Sequence, residues 1–212
     1  MTEFKDRLTD VYGAGGDQAK LNAVYDDWAK TYDADLWASG DPYIAIACTL
    51  VGHFVPDTDA RILDGGCGTG TVGQILGLAG YCNIEGLDPS EGMLDAAHAK
   101  GAYRALHQLR LEAEIPLDQG AYDAVVASGM LTQGHAGPDA LDGMLALARP
   151  GAPLIFSMSK LAFEEDGFGA RIAELERTGA WEKLAESPPF QTYPFRPEVG
   201  HCRHWVSAYA KR

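Results

Sequence analysis

The sequence is poor in cysteine, in basic residues and in long apolar runs, and each shortage excludes a class of protein. Its 212 residues include four cysteines, Cys48, Cys67, Cys82 and Cys202, and no two of them form a Cys-x-x-Cys pair. That argues against a zinc knuckle or a dithiol redox motif, and scattered thiols point to a reducing, cytoplasmic setting. Lysine and arginine number 17 against 30 aspartates and glutamates, a net charge of −13. A phosphate backbone favours a basic surface, so nucleic acid is not the expected partner. A cationic or neutral small substrate fits the balance more easily. No apolar run approaches the roughly 20 residues that span a bilayer, and the opening Met-Thr-Glu-Phe-Lys lacks the apolar core of a signal peptide. Neither a membrane association nor a leader is therefore expected. His201, Cys202 and His204 are close together, but their spacing fits no familiar zinc site and no second cluster completes four ligands, so no metal is expected.

What is present is an ordinary globular composition, 46% hydrophobic and 22% charged, in a chain long enough to bury a core unaided. Residues 1–17 are polar and contain Gly13, Gly15 and Gly16, which suggests a flexible arm. Residues 18–212 read as a single domain, with a helical lid over 18–56, a cofactor-binding core over 57–160, and a C-terminal helix with edge strands over 161–212. From Asp17 to about Tyr32, Leu21, Val24, Tyr25, Trp28 and Tyr32 recur at the period of one helix face. Asp41-Pro42 opens another helix running to about Phe54. Strand and helix then alternate: strands at Ala60–Asp64, Asn83–Asp88, 103–109, Tyr122–Ser128 and Ala152–Ser157, helices at Thr71–Gly80, Ser90–Lys100 and Gly137–Ala148. A helix or two covers 165–186, and strands follow at Phe190–Phe195 and His204–Ala210 with no helix between them. The expectation is a doubly wound α/β fold with a mostly parallel seven-stranded sheet and an antiparallel last strand.

In such sheets ligands bind beyond the carboxyl ends of the strands. The strand at Ala60–Asp64 runs straight into Asp64-Gly65-Gly66-Cys67-Gly68-Thr69-Gly70, where Gly66, Gly68 and Gly70 let the backbone turn sharply and approach a ligand. The next strand ends in Gly86-Leu87-Asp88-Pro89-Ser90-Glu91-Gly92-Met93-Leu94, and a carboxylate at Asp88 can accept both ribose hydroxyl protons. Gly68-Thr69-Gly70-Thr71-Val72-Gly73 also fits Gly-x-Gly-x-x-Gly, the nicotinamide dinucleotide pattern. A lone match of that kind is weak. This one starts too late after the strand, and Asp64 would face a pyrophosphate unfavourably.

The glycine loop resembles motif I of class I S-adenosylmethionine-dependent methyltransferases. Tyr25-Asp26-Asp27-Trp28-Ala29-Lys30-Thr31-Tyr32-Asp33 resembles the amino-terminal helix of small-molecule methyltransferases similar to the Williams–Beuren syndrome region methyltransferase. Tyr122-Asp123-Ala124-Val125-Val126-Ala127-Ser128 and Arg149-Pro150-Gly151 resemble that family's fourth strand and the turn before its fifth. The likeness covers about residues 20–160. It implies S-adenosylmethionine as cofactor and S-adenosylhomocysteine as product. Asp64 would lie near the cofactor's methionine end, with Gly66, Cys67, Gly68 and Gly70 as the loop beneath it. Asp88 and Pro89 would hold the ribose, Met93 would cover the adenine, and Ser128 would border the site. Tyr25, Trp28 and Tyr32 would be lid contacts, although the same three residues could simply be a core stripe. The family's usual acid after the third strand is missing, since Arg110-Leu111 stands there. The adenine contact then falls to Glu112 or to the backbone around Leu111.

His135, past the fourth strand, is a candidate general base or hydroxyl-orienting group, with a helix-capping role as the plainer alternative. Gln133 is a weaker candidate for the same pocket. Tyr12, Tyr25, Trp28, Tyr32, Trp37 and Tyr43 suggest a small, partly apolar methyl acceptor. Two other functions stay open, a cofactor-binding protein without turnover and a nicotinamide-dependent oxidoreductase. The oligomeric state is not legible.

Overall fold

The computed structural model describes residues 4–196 and 202–212. Its sheet contains β1 (Ile62–Gly65), β2 (Ile84–Leu87), β3 (Ala105–His107), β4 (Ala124–Leu131), β5 (Pro153–Ser159), β6 (Trp181–Glu186), β7 (Phe190–Gln191) and β8 (Arg203–Lys211). The order is β3-β2-β1-β4-β5-β8-β6, with β7 beside β8. Strands β1 to β5 pair in parallel, and β8 is antiparallel to β5, β6 and β7.

Consecutive strand residues point to opposite faces, and the apolar runs fill both. Leu63, Val125 and Leu154 pack with Leu141, Met144 and Leu147 of α7 (Asp139–Leu147) and Phe168, Ile172 and Leu175 of α9 (Phe168–Thr178). Ile62, Val126 and Ile155 face the other way, onto Ala47 and Val51 of α4 (Tyr43–Phe54) and Val72 and Leu76 of α5 (Thr71–Leu78). A parallel sheet covered on both faces explains why its strands read as unbroken apolar runs. Helix α4 is thus a core helix beneath the sheet and not part of the lid segment in which it was expected.

Three further expectations need correction. The arm over 1–17 contains a helix, α1 (Phe4–Gly13). Its Phe4, Leu8 and Val11 recur on one face and are buried with Leu21 and Trp28 of α2 (Gln18–Trp28). The helix expected to reach Tyr32 ends at Trp28, and α3 (Tyr32–Ser39) follows, because Trp28 Nε1 and Thr31 Oγ1 both donate to Asp35 and turn the chain. The helical reading of 165–186 fails after Thr178. Helices α8 (Lys160–Glu165) and α9 come first, but Gly179 ends α9 in the left-handed region at φ 71°. After Ala180, six residues form β6, whose Trp181 stacks 4.2 Å from Tyr209. Strand β6 takes the sheet edge, so β8, last in the chain, lies inside the sheet. The strand expected at Phe190–Phe195 shortens to two residues, because the backbone turns away at Tyr193, φ 50°. Of the residues weighed and rejected as metal ligands, His201 lies outside the described residues. No helix among the described residues is long and apolar enough to cross a membrane.

Candidate cofactor and acceptor site

The glycine loop follows β1 and delivers the chain into α5. Gly66 sits at φ +69°, and a Cβ there would meet Met130 Sδ at 2.7 Å. Gly70 caps α5 at φ +87°, and a Cβ there would lie 3.1 Å from the Ala97 backbone. Both positions therefore require glycine, for conformation and for space. Just past β2, Asp88 is locked by two backbone donors: Gly68 N–H donates to Oδ2 and Ser90 N–H to Oδ1, each at 2.9 Å. Ser90 caps α6 (Glu91–Lys100) by accepting from Met93 N–H.

The lid helix α2 is bonded to this platform. Asp26 Oδ1 accepts from Ser90 Oγ at 2.6 Å and from Gly92 N–H at 2.9 Å, and Asn22 Nδ2 donates to the Pro89 carbonyl. Asp33 of α3 accepts from Thr69 and pairs with Lys100 at 2.6 Å. Between lid and sheet lies a cleft of about 720 Å³, partly open to solvent.

Of the residues singled out from sequence, Tyr25, Tyr32, Gly66, Gly68, Asp88, Pro89, Met93, Leu111, Ser128 and His135 line this cleft. Five do not. Trp28 is 3% exposed and packs against Phe4 and Tyr32, so for this residue the core-stripe reading holds. Glu112 points outward and pairs with Arg110 at 3.6 Å, which leaves Leu111 as the residue that reaches the cleft. Cys67 borders a smaller adjoining cavity with Tyr32, Tyr43 and Ser128. Gly70 lies under the loop against Tyr103 and Ala97. Asp64 is buried behind the loop, where the Tyr103 hydroxyl donates to Oδ2 at 2.7 Å. Gln133 turns away to Glu165. Sequence reading passed over Asn22, Arg110, Gly129 and Met130, which also line the cleft. Arg110 was noticed only as occupying the place of a missing acid.

On the cleft wall the His135 ring is fixed by two bonds. Its Nδ1 lies 2.9 Å from the Gln133 carbonyl, which can only accept, so Nδ1 carries the proton. Nε2 then accepts from the Tyr25 hydroxyl at 2.6 Å. Burial pushes the imidazole pKa below its usual value and favours this neutral form. Arg110 donates to the His135 carbonyl at 2.7 Å and holds the loop.

The residues present suit a cationic nucleoside cofactor. Buried polar atoms ordinarily have partners, yet Ser128 Oγ, on the cleft wall, has none among the described residues. A hydroxyl or an ammonium of the ligand would satisfy it, whereas a pyrophosphate would meet the fixed carboxylate of Asp88. Among the lining residues the one lysine or arginine is Arg110, already tied to Glu112.

Comparison with known proteins agrees. A methyltransferase-domain family model matches residues 62–151, from β1 through the turn before β5. Human methyltransferase-like protein 27 is 32% identical over 195 residues, covering 89% of this chain and 78% of that protein. Among solved structures, a TehB-like S-adenosylmethionine-dependent methyltransferase from Corynebacterium glutamicum superposes with TM-score 0.65 at 21% identity, covering 90% of this chain and 99% of that one. A possible histamine N-methyltransferase from Thermotoga maritima gives TM-score 0.64 at 15% identity, with 89% and 98% covered. The chain belongs to the class I S-adenosylmethionine-dependent methyltransferases, in the family of methyltransferase-like protein 27. Its cofactor is S-adenosylmethionine, and the nicotinamide reading falls.

The buried acids make stability depend on pH. Burial, with Asp88 adding to it, pushes Asp64 up to about 7, against about 3.9 in an unfolded chain. Between roughly pH 4 and 7 the folded chain holds a proton that the unfolded chain has released, so this contribution to stability falls as pH rises. Asp64→Asn removes the charge and keeps an acceptor for Tyr103. In urea unfolding without cofactor the variant should exceed the wild type at pH 8 by roughly 2–4 kcal/mol. The gap should narrow steadily as pH falls and reach its minimum only below about pH 4, where the unfolded wild type also holds the proton. A constant difference across that range would refute the assignment.

Proposed function

We propose that the protein methylates a small-molecule acceptor, with the cofactor held at the Asp88 end of the cleft and the acceptor at the Tyr25–His135 end. The observation that carries this is the asymmetry of the cleft. Asp88, Pro89, Met93 and Leu111 combine a fixed carboxylate with apolar walls, a match for ribose and adenine. Tyr25, Gly129, Met130 and His135 instead surround a neutral imidazole whose Nε2 lone pair is directed to a hydroxyl. Docking of α2 over the cleft leaves room for a small acceptor rather than a macromolecular one. When bound, S-adenosylmethionine supplies a methyl group already activated by its sulfonium.

The chain's own task is then to align the acceptor, exclude water and receive a proton. Alignment alone is worth roughly 7–11 kcal/mol of barrier, which accounts for the sparse catalytic machinery. The Tyr25 hydroxyl takes the acceptor's proton as its own proton passes to His135 Nε2. The Gln133 carbonyl steadies the imidazolium that results. All four cysteines are free thiols, which supports a reducing, cytoplasmic setting.

The test is S-adenosylhomocysteine release across a panel of small alcohols, phenols, amines and thiols. On any acceptor that turns over, His135→Gln should cut kcat about 100-fold or more. S-adenosylhomocysteine affinity should stay within about threefold, because His135 lies at the acceptor end. Tight binding of S-adenosylhomocysteine with no turnover on any acceptor would mean a cofactor-binding protein. An unchanged kcat in His135→Gln would remove the proton-transfer role.

A further inference from the structure

The residues proposed to hold ribose and adenine leave one part of the base without a partner. Adenine carries ring-nitrogen acceptors and a 6-amino group that donates. The segment around Leu111 offers no side-chain acceptor for that group. Glu112 points outward to Arg110, and a guanidinium can only donate. An acceptor has to come from another segment.

Lid helix α2 supplies one. Asp17 fixes the start of the helix by accepting from Ala19 N–H and Lys20 N–H, so Gln18 is its first residue. Gln18 and Asn22 are four residues apart and thus share a helix face. Both are half-buried and both line the cleft. Their amides are oriented by one fixed group. The Pro89 carbonyl can only accept, so Asn22 presents Nδ2 to it, at 3.2 Å. Asn22 Oδ1 then accepts from Gln18 Nε2 at 2.6 Å. With that nitrogen committed, Gln18 keeps Oε1 for a ligand. Both Asp88 oxygens accept from backbone N–H groups, and Asn22 Oδ1 is taken. Of the carboxyl and amide side-chain oxygens on the cleft lining, Gln18 Oε1 is therefore the one without a protein partner among the described residues. Pro89 directly follows Asp88, which puts the amide pair beside the ribose carboxylate.

We propose that Gln18 sets cofactor specificity by accepting from the adenine 6-amino group, with Asn22 and the Pro89 carbonyl orienting its amide. This rests on ribose and adenine lying at the end of the cleft that Asp88, Met93 and Leu111 line. Asn22 acts through Gln18 and is a positioning residue. The arrangement ties reading of the base to docking of the lid, because Asn22 and Asp26 bond α2 to the turn that carries Pro89 and Ser90.

The test is calorimetry on the full chain with two ligands: S-adenosylhomocysteine, and its analogue with hydrogen in place of the 6-amino group. The wild type should bind the analogue about tenfold more weakly, since one hydrogen bond is lost and the Gln18 oxygen is left unpaired. Gln18→Leu should weaken S-adenosylhomocysteine by a similar factor and leave the analogue within threefold, so that the preference disappears. A purely structural role for Gln18 would weaken both ligands equally. Gln108→Ala is the control: Gln108 also donates to the Pro89 carbonyl, at 3.4 Å, but does not line the cleft. It should keep the full preference. Equal binding of the two ligands by the wild type, or a preference that survives Gln18→Leu, would overturn the proposal. Should Gln18→Leu not fold, Gln18→Lys, whose side chain can only donate, must abolish the preference in its place. S-adenosylhomocysteine binding that Asp88→Ala leaves intact would strike at the placement of the ribose, and at this proposal with it.

Discussion

Asp88→Ala should weaken binding of S-adenosylmethionine and S-adenosylhomocysteine by about 100-fold or more. The carboxylate is held by the Gly68 and Ser90 backbone N–H groups at 2.9 Å each, so it is oriented before any ligand arrives. Two ribose hydroxyls donating to a fixed carboxylate form charge-assisted bonds, each worth roughly 1.5–3 kcal/mol. Every 1.4 kcal/mol or so is tenfold in affinity. Asp88→Asn should be nearly as damaging, because its amide must turn a donor toward one of the two N–H groups that now face oxygen. Burial pushes Asp88 up to about 6, so wild-type affinity should also fall as pH drops below that value. Calorimetry reads all three effects. A loss below fivefold in Asp88→Ala would place the ribose elsewhere.

Gly143→Ala should be the most damaging methyl addition outside the glycine loop. A Cβ on this residue of α7 would lie 2.1 Å from the Glu112 carbonyl oxygen and 2.9 Å from its carbon. Both are backbone atoms, so no side-chain rotation relieves the clash. The segment carrying Leu111, 1% exposed and lining the cleft, must lift from α7. Overpacking of this kind costs about 1–3 kcal/mol. For a chain of this size that is a fall in Tm of roughly 2–12 °C. Cofactor affinity should fall with it, since Leu111 moves. Gly77→Ala in α5 is the control: a Cβ there meets nothing within 4 Å. It should leave Tm unchanged or raise it slightly, because alanine favours helix. Equal melting of both variants would show that the α7 contact is looser than described.

The local arrangement of the proposed cofactor end was legible because its parts are contiguous. Asp88, Ser90 and Met93 lie within six residues, and the cap and carboxylate geometry follow from a strand stopping where a helix starts. The glycine loop is likewise contiguous. Periodicity failed where one pattern admits two outcomes. Tyr25, Trp28 and Tyr32 share a helical stripe, yet two line the cleft and Trp28 packs against α1. Helix α1 was missed because three glycines after Tyr12 outweighed the Phe4, Leu8, Val11 spacing. Strand β6 was missed because its charged residues lie at an exposed sheet edge, where no apolar alternation is required.

By itself the sequence determined the strand–helix alternation, the glycine turn after β1 and the carboxylate after β2, since each depends on neighbouring residues and backbone preference. Only the tertiary structure decided which aromatic rings border the cleft, that Tyr25 meets His135 from 110 residues away, and that Asp41 meets Tyr193 across 152. Such pairings depend on how α1 to α4 pack over the sheet, and packing between distant segments leaves no periodic trace in the chain.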